Sequence, residues 1–460
     1  MKEVGSSTER GATSNRDWTK GSILRNLLML SWPIIISQSL DIVGPTIDMI
    51  WVGKLGPASI AGVGVAGMAV MFVIPAVMGL VMGARAMIAR FIGEGNASGA
   101  NNVARQAFVI SASFSIIMAS IGIFFAESIL TLTGVEPDVV AAGAAYMRIM
   151  FVGSVAMSFR ITAEGVMQAS GDAMTPMKIA VLFRGVHVAL CPFLVFGWWI
   201  FPHLGVSGAA ISNVLSQSLG LALGLWALFS GRTRLRLTLS NFHLDFHIMW
   251  RIVKIGIPAV VMGVQRSLGH LILMLFMVPF GTLAVAAHTL CQRIEMLLVM
   301  INMGFGMASG VLAGQNLGAG QAKRAERGGW MAAGFAEGVM VICSVAILLW
   351  AESIVGIFST EPDLLRIASI FLRIAAAGYF VLGFIPVFMQ CLAGVGDTLP
   401  PMLFELIAMW GVQLPLAYFL PRINNLGVYG VRWAMVAGMF VGAVAYLVYF
   451  RLGKWKHKKV

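Results

Sequence analysis

The chain has 460 residues, 58% of them hydrophobic and 11% charged, with a mean hydropathy of +0.86 and a formal net charge of +12 at pH 7. Soluble globular chains are about a quarter charged, so a soluble enzyme or nucleic-acid-binding domain is excluded. The positive charge instead fits the cytoplasmic loops and tails of a membrane protein.

The first 20 residues are polar and lack the apolar core and small-residue cleavage site of a signal peptide. Residues 1–26 are expected to form a disordered cytoplasmic tail. Twelve apolar segments follow, each close to the roughly 20 residues that span a bilayer as a helix. The first six are Leu27–Val52, Ser59–Ala84, Ala107–Ala126, Val140–Gln168, Ile179–Phe201 and Ser207–Phe229. A basic linker, 231–247, leads to Ile248–Val278, Ala284–Leu312, Trp330–Ala351, Leu364–Leu392, Leu403–Leu420 and Tyr429–Phe450, and residues 453–460 form a basic cytoplasmic tail. The runs are continuous rather than short and alternating, which excludes a β-barrel.

Arg85, Arg90, Arg105, Arg232, Arg234, Arg236, Lys323, Arg324 and Arg327 fall on one set of loops, and Glu127, Glu136, Asp138, Glu352, Glu361 and Asp363 on the other, with Arg422 the exception. Lysine and arginine mark the cytoplasmic side, so both termini are expected there. The four cysteines are widely spaced in apolar runs and form no CxxC, so neither a disulfide framework nor a metal site is expected.

The two halves repeat at an offset of 225 residues. FAESI at Phe125 returns as WAESI at Trp350, Pro33 as Pro258, Gly56 as Gly281, Arg148 as Arg373 and Gly171-Asp172 as Gly396-Asp397. Six spans per copy give two parallel repeats related by an axis along the membrane normal. The expected fold is therefore an all-α membrane protein, twelve transmembrane helices in an N-lobe (27–230) and a C-lobe (248–452) around a central cavity.

Helix 1 carries two acids and two prolines. Asp41 and Asp48 lie within roughly 20° on one face and about 10 Å apart along the axis, with Ser37, Gln38 and Pro45 on or beside that face. One charged side chain at mid-bilayer costs roughly 2.5–3.5 kcal/mol, so both acids need water or partners, and Arg160 and Arg184 are the candidate counter-ions. Pro45 cannot donate to the Asp41 carbonyl, which leaves that oxygen beside a carboxylate. Such oxygens can hold Na⁺, and a carboxylate can take a proton. Pro33 and Pro45 are the candidate hinges, and Asp48 with Asp41 the candidate ion-coupling pair.

Other intramembrane polar groups are Arg160 and Glu164, four apart on helix 4 and able to pair, and Arg184 and His187 on helix 5. In the C-lobe, Gln265, Arg266 and His270 lie on helix 7, His288, Gln292 and Glu295 recur on helix 8, and Glu405 lies on helix 11. Glu295 can attract a cationic cargo or balance Arg266 and Arg293. Thirty methionines and 28 phenylalanines suit an adaptable apolar cargo surface, although most of them serve packing.

SWPIIISQSLDIVGPTIDMIWVGKLG in helix 1, LAGQNLGAGQ at Leu312–Gln321, and the loops GDAMTPM and GDTLPPM resemble motifs of the multidrug and toxin extrusion (MATE) family, within the wider superfamily that includes lipid-linked oligosaccharide flippases. The resemblance spans Leu27 to Arg451. It implies export of organic cations or amphipathic compounds against H⁺ or Na⁺, with no other cofactor. Helix 5 departs from the family pattern N-x-x-x-D-P: the chain reads HVALCP, with His187 for Asn and Cys191 for Asp. The alternative is flipping of a lipid-linked oligosaccharide, favoured by Arg160, Arg184, Arg266 and Arg293. No HExxH, GxGD, nucleophile elbow or P-loop is present, so neither an enzyme nor an ATP-driven pump is expected. The expected partners are small cationic or amphipathic molecules and the bilayer of the cell's inner or plasma membrane, not nucleic acid. A monomer is the simplest assembly.

Overall fold

The computed structural model describes residues 16–131, 137–240, 242–359, 361–423 and 426–458. Within them, backbone hydrogen bonds are satisfied inside helices, as a chain crossing hydrocarbon requires, and twelve helical segments are long and apolar enough to span a membrane. The first six are α1 (Ile23–Val52), α2 (Pro57–Gly93), α3 (Ala97–Thr131), α4 (Pro137–Ser170), α5 (Met174–Phe196) and α6 (Val206–Phe229). The next three are α7 (Phe246–Met277), α8 (Thr282–Gly318) and α9 (Ala322–Gly356). The tenth span comprises α10 (Pro362–Leu382) and α11 (Phe384–Gly394), the eleventh α12 (Leu399–Leu406) and α13 (Leu414–Phe419), and the twelfth α14 (Val428–Leu452).

The sequence repeat reappears as geometry. Arg148 pairs with Glu127 at 2.9 Å, and the residues 225 positions later, Arg373 and Glu352, pair at 3.1 Å. Gly56 and Gly281 both turn the chain with positive φ, 115° and 93°, a conformation that only glycine adopts without strain.

Two spans are less regular than their apolar runs suggest. The tenth breaks at Gly383, where the Glu337 carboxylate of α9 accepts from the Gly383 N–H at 3.0 Å and replaces a bond lost at the break. The eleventh passes through a π-helical segment, Ile407–Gln413, between α12 and α13. Neither feature occurs in the corresponding spans α4 and α5.

The halves are pressed together toward the end of α2 that carries Arg85 and Arg90. A Cβ on Gly83 would lie 2.2 Å from the Ile252 carbonyl oxygen of α7, and one on Gly93 would lie 2.0 Å from that of Gln315 on α8. Gln315 also donates to the Ala169 carbonyl of α4 at 2.9 Å, and Arg234 of the linker reaches Ser170 and Gln315.

Both expected tails are shorter. Residues 1–15 and 459–460 lie outside the described residues, but Trp18 is 2% exposed and donates to the Gly171 carbonyl at 3.1 Å, and α1 begins at Ile23 with Ser22 as N-cap. At the other end Trp455 is fully buried against Phe450. These indoles anchor segments that composition alone marks as polar. Glu136 lies outside the described residues.

Candidate functional site

α1 runs helical through both Pro33 and Pro45, carrying Asp41 and Asp48 toward α4, α5 and α6. The two acids draw different partners. Asp41 accepts from Arg160 of α4 and Arg184 of α5, each at 3.4 Å. Asp48, 2% exposed, accepts from His187 Nε2 at 3.0 Å and Cys191 Sγ at 3.6 Å, both on α5, and from Asn213 Nδ2 of α6 at 3.3 Å.

These contacts close into a ring. Arg160 donates through Nε to Gln217 Oε1 at 2.7 Å, Gln217 donates to Asn213 Oδ1 at 3.2 Å, and Asn213 donates to Asp48. Around the other side Arg184 approaches His187 Nδ1 at 3.3 Å, and His187 meets Asp48. Arginine has five donors and no acceptor, so Nδ1 is the accepting nitrogen and Nε2 carries the hydrogen. Both arms therefore run one way, from an arginine to Asp48. Glu164 joins from the side, accepting from Arg160 at 3.0 Å and from Gln168 at 2.9 Å. The assembly holds three carboxylates against two guanidiniums.

Packing fixes the arginines. Phe183 lies between them, with its ring centroid 4.7 Å from the Arg160 guanidinium carbon and 5.1 Å from that of Arg184. Gly44 of α1 makes room for Arg184: a Cβ there would lie 2.0 Å from its terminal nitrogen.

The second cluster is built from α7, α8, α12 and α14. Arg432, 1% exposed, pairs with Glu295, and its other terminal nitrogen lies 3.4 Å from His288 Nδ1. Arg266 pairs with Glu405 at 3.1 Å, Gln292 meets His270 Nδ1 at 3.4 Å, and Gln265 accepts from the Trp410 indole at 3.1 Å.

Several expectations change. Glu295 is balanced by Arg432, not by Arg266 or Arg293, so its charge is already engaged. Gln38 faces the other half, donating to Met307 Sδ at 3.2 Å, and stands outside the acid network. Cys191 is no inert apolar side chain but touches Asp48. Asn213 and Gln217 were missed; the signal for them was an i, i+4 pair of amides in an otherwise apolar helix. Arg432 was missed as well.

Comparison with known proteins agrees with this architecture. The MatE family profile matches residues 33–193 and 258–419. The "Probable multidrug resistance protein NorM" of Thermotoga maritima is 24% identical over 441 residues, covering 95% of this chain and 94% of the relative. A protein of the same name in Brucella suis is 28% identical, with 92% and 91% covered, and a "FAD transporter" of Shewanella oneidensis is 24% identical, with 93% and 94% covered. A crystal structure of MATE in the bent conformation superposes with a TM-score of 0.89 at 24% identity, covering 95% of this chain and 96% of that one. Full-length agreement in sequence profile and fold has one consequence: the chain belongs to the MatE family of multidrug and toxin extrusion transporters.

Proposed function

We propose that the chain is a secondary active exporter of organic cations or amphipathic compounds, driven by inward H⁺ movement through Asp48. The observation that carries this reading is the one-way ring. Both arms end on arginines, which cannot accept, so the donors facing Asp48 cannot reverse. A proton added to the carboxylate sets a donor against a donor and breaks one contact, at about 1–3 kcal/mol for the group left unsatisfied. One proton also balances the charge of three carboxylates and two guanidiniums. Released from α5 or α6, the Asp48 end of α1 can bend at Pro45 or Pro33. Donor nitrogens and a thiol around Asp48, and guanidiniums around Asp41, speak against the Na⁺ alternative, because Na⁺ needs oxygen ligands.

The basic loops place both termini in the cytoplasm. The seal at Gly83 and Gly93 then lies on the cytoplasmic side, and the conformation faces outward. A single chain of twelve spans supplies the pathway between its N-lobe (27–230) and C-lobe (248–452).

A second reading, an anionic or lipid-linked cargo, is favoured by Arg266, whose side chain stays 37% exposed beside Glu405. One relative's name, FAD transporter, points to such a cargo for that protein. Against it, Arg160, Arg184 and Arg432 are engaged by carboxylates.

The test is transport in liposomes. Purified protein is reconstituted with a fluorescent organic cation, and a pH gradient or a Na⁺ gradient is imposed separately on wild type and Asp48→Asn. Movement driven by the pH gradient alone and lost in the variant is the expected result. Movement under Na⁺ alone overturns the proton reading, and a broad cation panel that never moves overturns the cargo class.

A further inference from the structure

We propose that Asp48, His187 and Cys191 form a buried binding site for a borderline-soft divalent cation, of which Zn²⁺ is the representative, and that the ion staples α1 to α5. The inference rests on geometry and does not depend on proton coupling. His187 and Cys191 are four residues apart, so α5 presents both on one face, with Asp48 of α1 opposite. One ligand atom from each of the three buried residues lies within 4.8 Å of the other two.

The spacing suits a tetrahedral ion. With ligand bonds of about 2.0–2.1 Å to N and O and about 2.3 Å to S, the tetrahedral edges are roughly 3.3 Å between N and O and roughly 3.5 Å between S and O. The present separations are 3.0 Å from His187 Nε2 to Asp48 Oδ1 and 3.6 Å from Cys191 Sγ to the same oxygen. An ion therefore fits after movements of a few tenths of an ångström. The donor set of imidazole, thiolate and carboxylate selects Zn²⁺ and its neighbours over Mg²⁺ or Ca²⁺, which prefer oxygen. Carboxylate and thiolate together cancel a double positive charge, and binding releases the thiol and imidazole protons. The fourth position falls to water or to the Asn213 amide.

Arg184 opposes the ion. Metal on Nε2 forces the imidazole hydrogen onto Nδ1, which now faces Arg184 at 3.3 Å, donor against donor. Arg184 must swing away, and it already has Asp41 to hold. Its replacement by glutamine, which can accept from Nδ1–H, is expected to tighten metal binding roughly ten- to a hundredfold, the range for outer-shell partners of a ligating histidine.

Binding is read with Co²⁺ on full-length protein in detergent. The expected result is one Co²⁺ per chain, tetrahedral visible bands, and a near-ultraviolet thiolate-to-cobalt band that disappears in Cys191→Ser and on addition of Zn²⁺. His187→Gln and Asp48→Asn weaken binding, and Arg184→Gln strengthens it. No thiolate band in wild type, or a band that survives Cys191→Ser, overturns the proposal. Should the variants fail to fold, X-ray absorption on Zn²⁺-loaded wild type decides the matter: one sulfur in the first shell supports the site, and nitrogen and oxygen alone overturn it. These readouts involve no transport, so their failure leaves the coupling reading untouched.

Discussion

Arg432 and Glu295 form the buried ion pair of the second half, with side chains 1% and 14% exposed. Arg432→Met leaves the Glu295 carboxylate in the membrane interior without its guanidinium and withdraws the neighbour of His288 Nδ1. Breaking such a pair from one side costs about 3–5 kcal/mol, whereas replacing both partners by apolar groups is often neutral. The Arg148–Glu127 pair supplies an internal control, because its side chains are 47% and 64% exposed and such pairs contribute about 0–1 kcal/mol. The assay is reversible unfolding by SDS in mixed micelles, followed by circular dichroism. Arg432→Met should lose several kcal/mol, Arg432→Met with Glu295→Met should recover most of it, and Arg148→Met should lose little. A double variant whose loss equals the sum of the single losses would refute the claim that Arg432 exists to neutralise Glu295.

Three further outcomes follow from packing. Gly44→Ala should keep the fold but push the flexible Arg184 guanidinium off His187, visible as a change in the ¹⁵N shift of Nδ1; an unchanged shift counts against the one-way ring. Gly83→Leu drives a side chain into the α7 backbone and should separate α2 from α7. Spin-label distances across the basic-loop end should lengthen, and identical distances would mean the seal lies elsewhere. Trp18→Ala removes an indole that bonds the α4–α5 turn; burying an aromatic of this size is worth about 3–5 kcal/mol, so the variant should populate the form open on that side, and unchanged accessibility of a reporter cysteine there would sink the anchoring role.

The number of spans and the parallel repeat were legible because both depend on patterns within single segments. Apolar length sets a span, and one register over 225 residues sets the repeat. Within a segment the reading also held: Arg160 and Glu164, four apart on one helix, do pair. What a single sequence carries poorly is which faces meet. Asp48 could be placed on a stripe of α1, but its meeting with Asn213 depends on how α6 packs, and Arg432 finds Glu295 across 137 positions. The break at Gly383 escaped for a related reason. Glycine is common in membrane helices, and only Glu337, arriving from α9, turns this one into a capped break.

The repeat also exposes an asymmetry that bears on how the halves work. Asp41 and Arg266 occupy corresponding positions, 225 residues apart. Asp41 meets Arg184 of the fifth span, and Arg266 meets Glu405 of the eleventh. One architectural position thus carries an acid-to-base pair in the first half and a base-to-acid pair in the second. Duplication preserved the place of the ion pair and reversed its polarity. The ring around Asp48 has no counterpart, because Leu273 stands at the corresponding position of α7, fully buried among apolar neighbours. A protonation switch can therefore operate in the first half alone. The second half, whose charges are balanced by Arg432, Glu295, Arg266 and Glu405, is built to keep its shape while the first half changes.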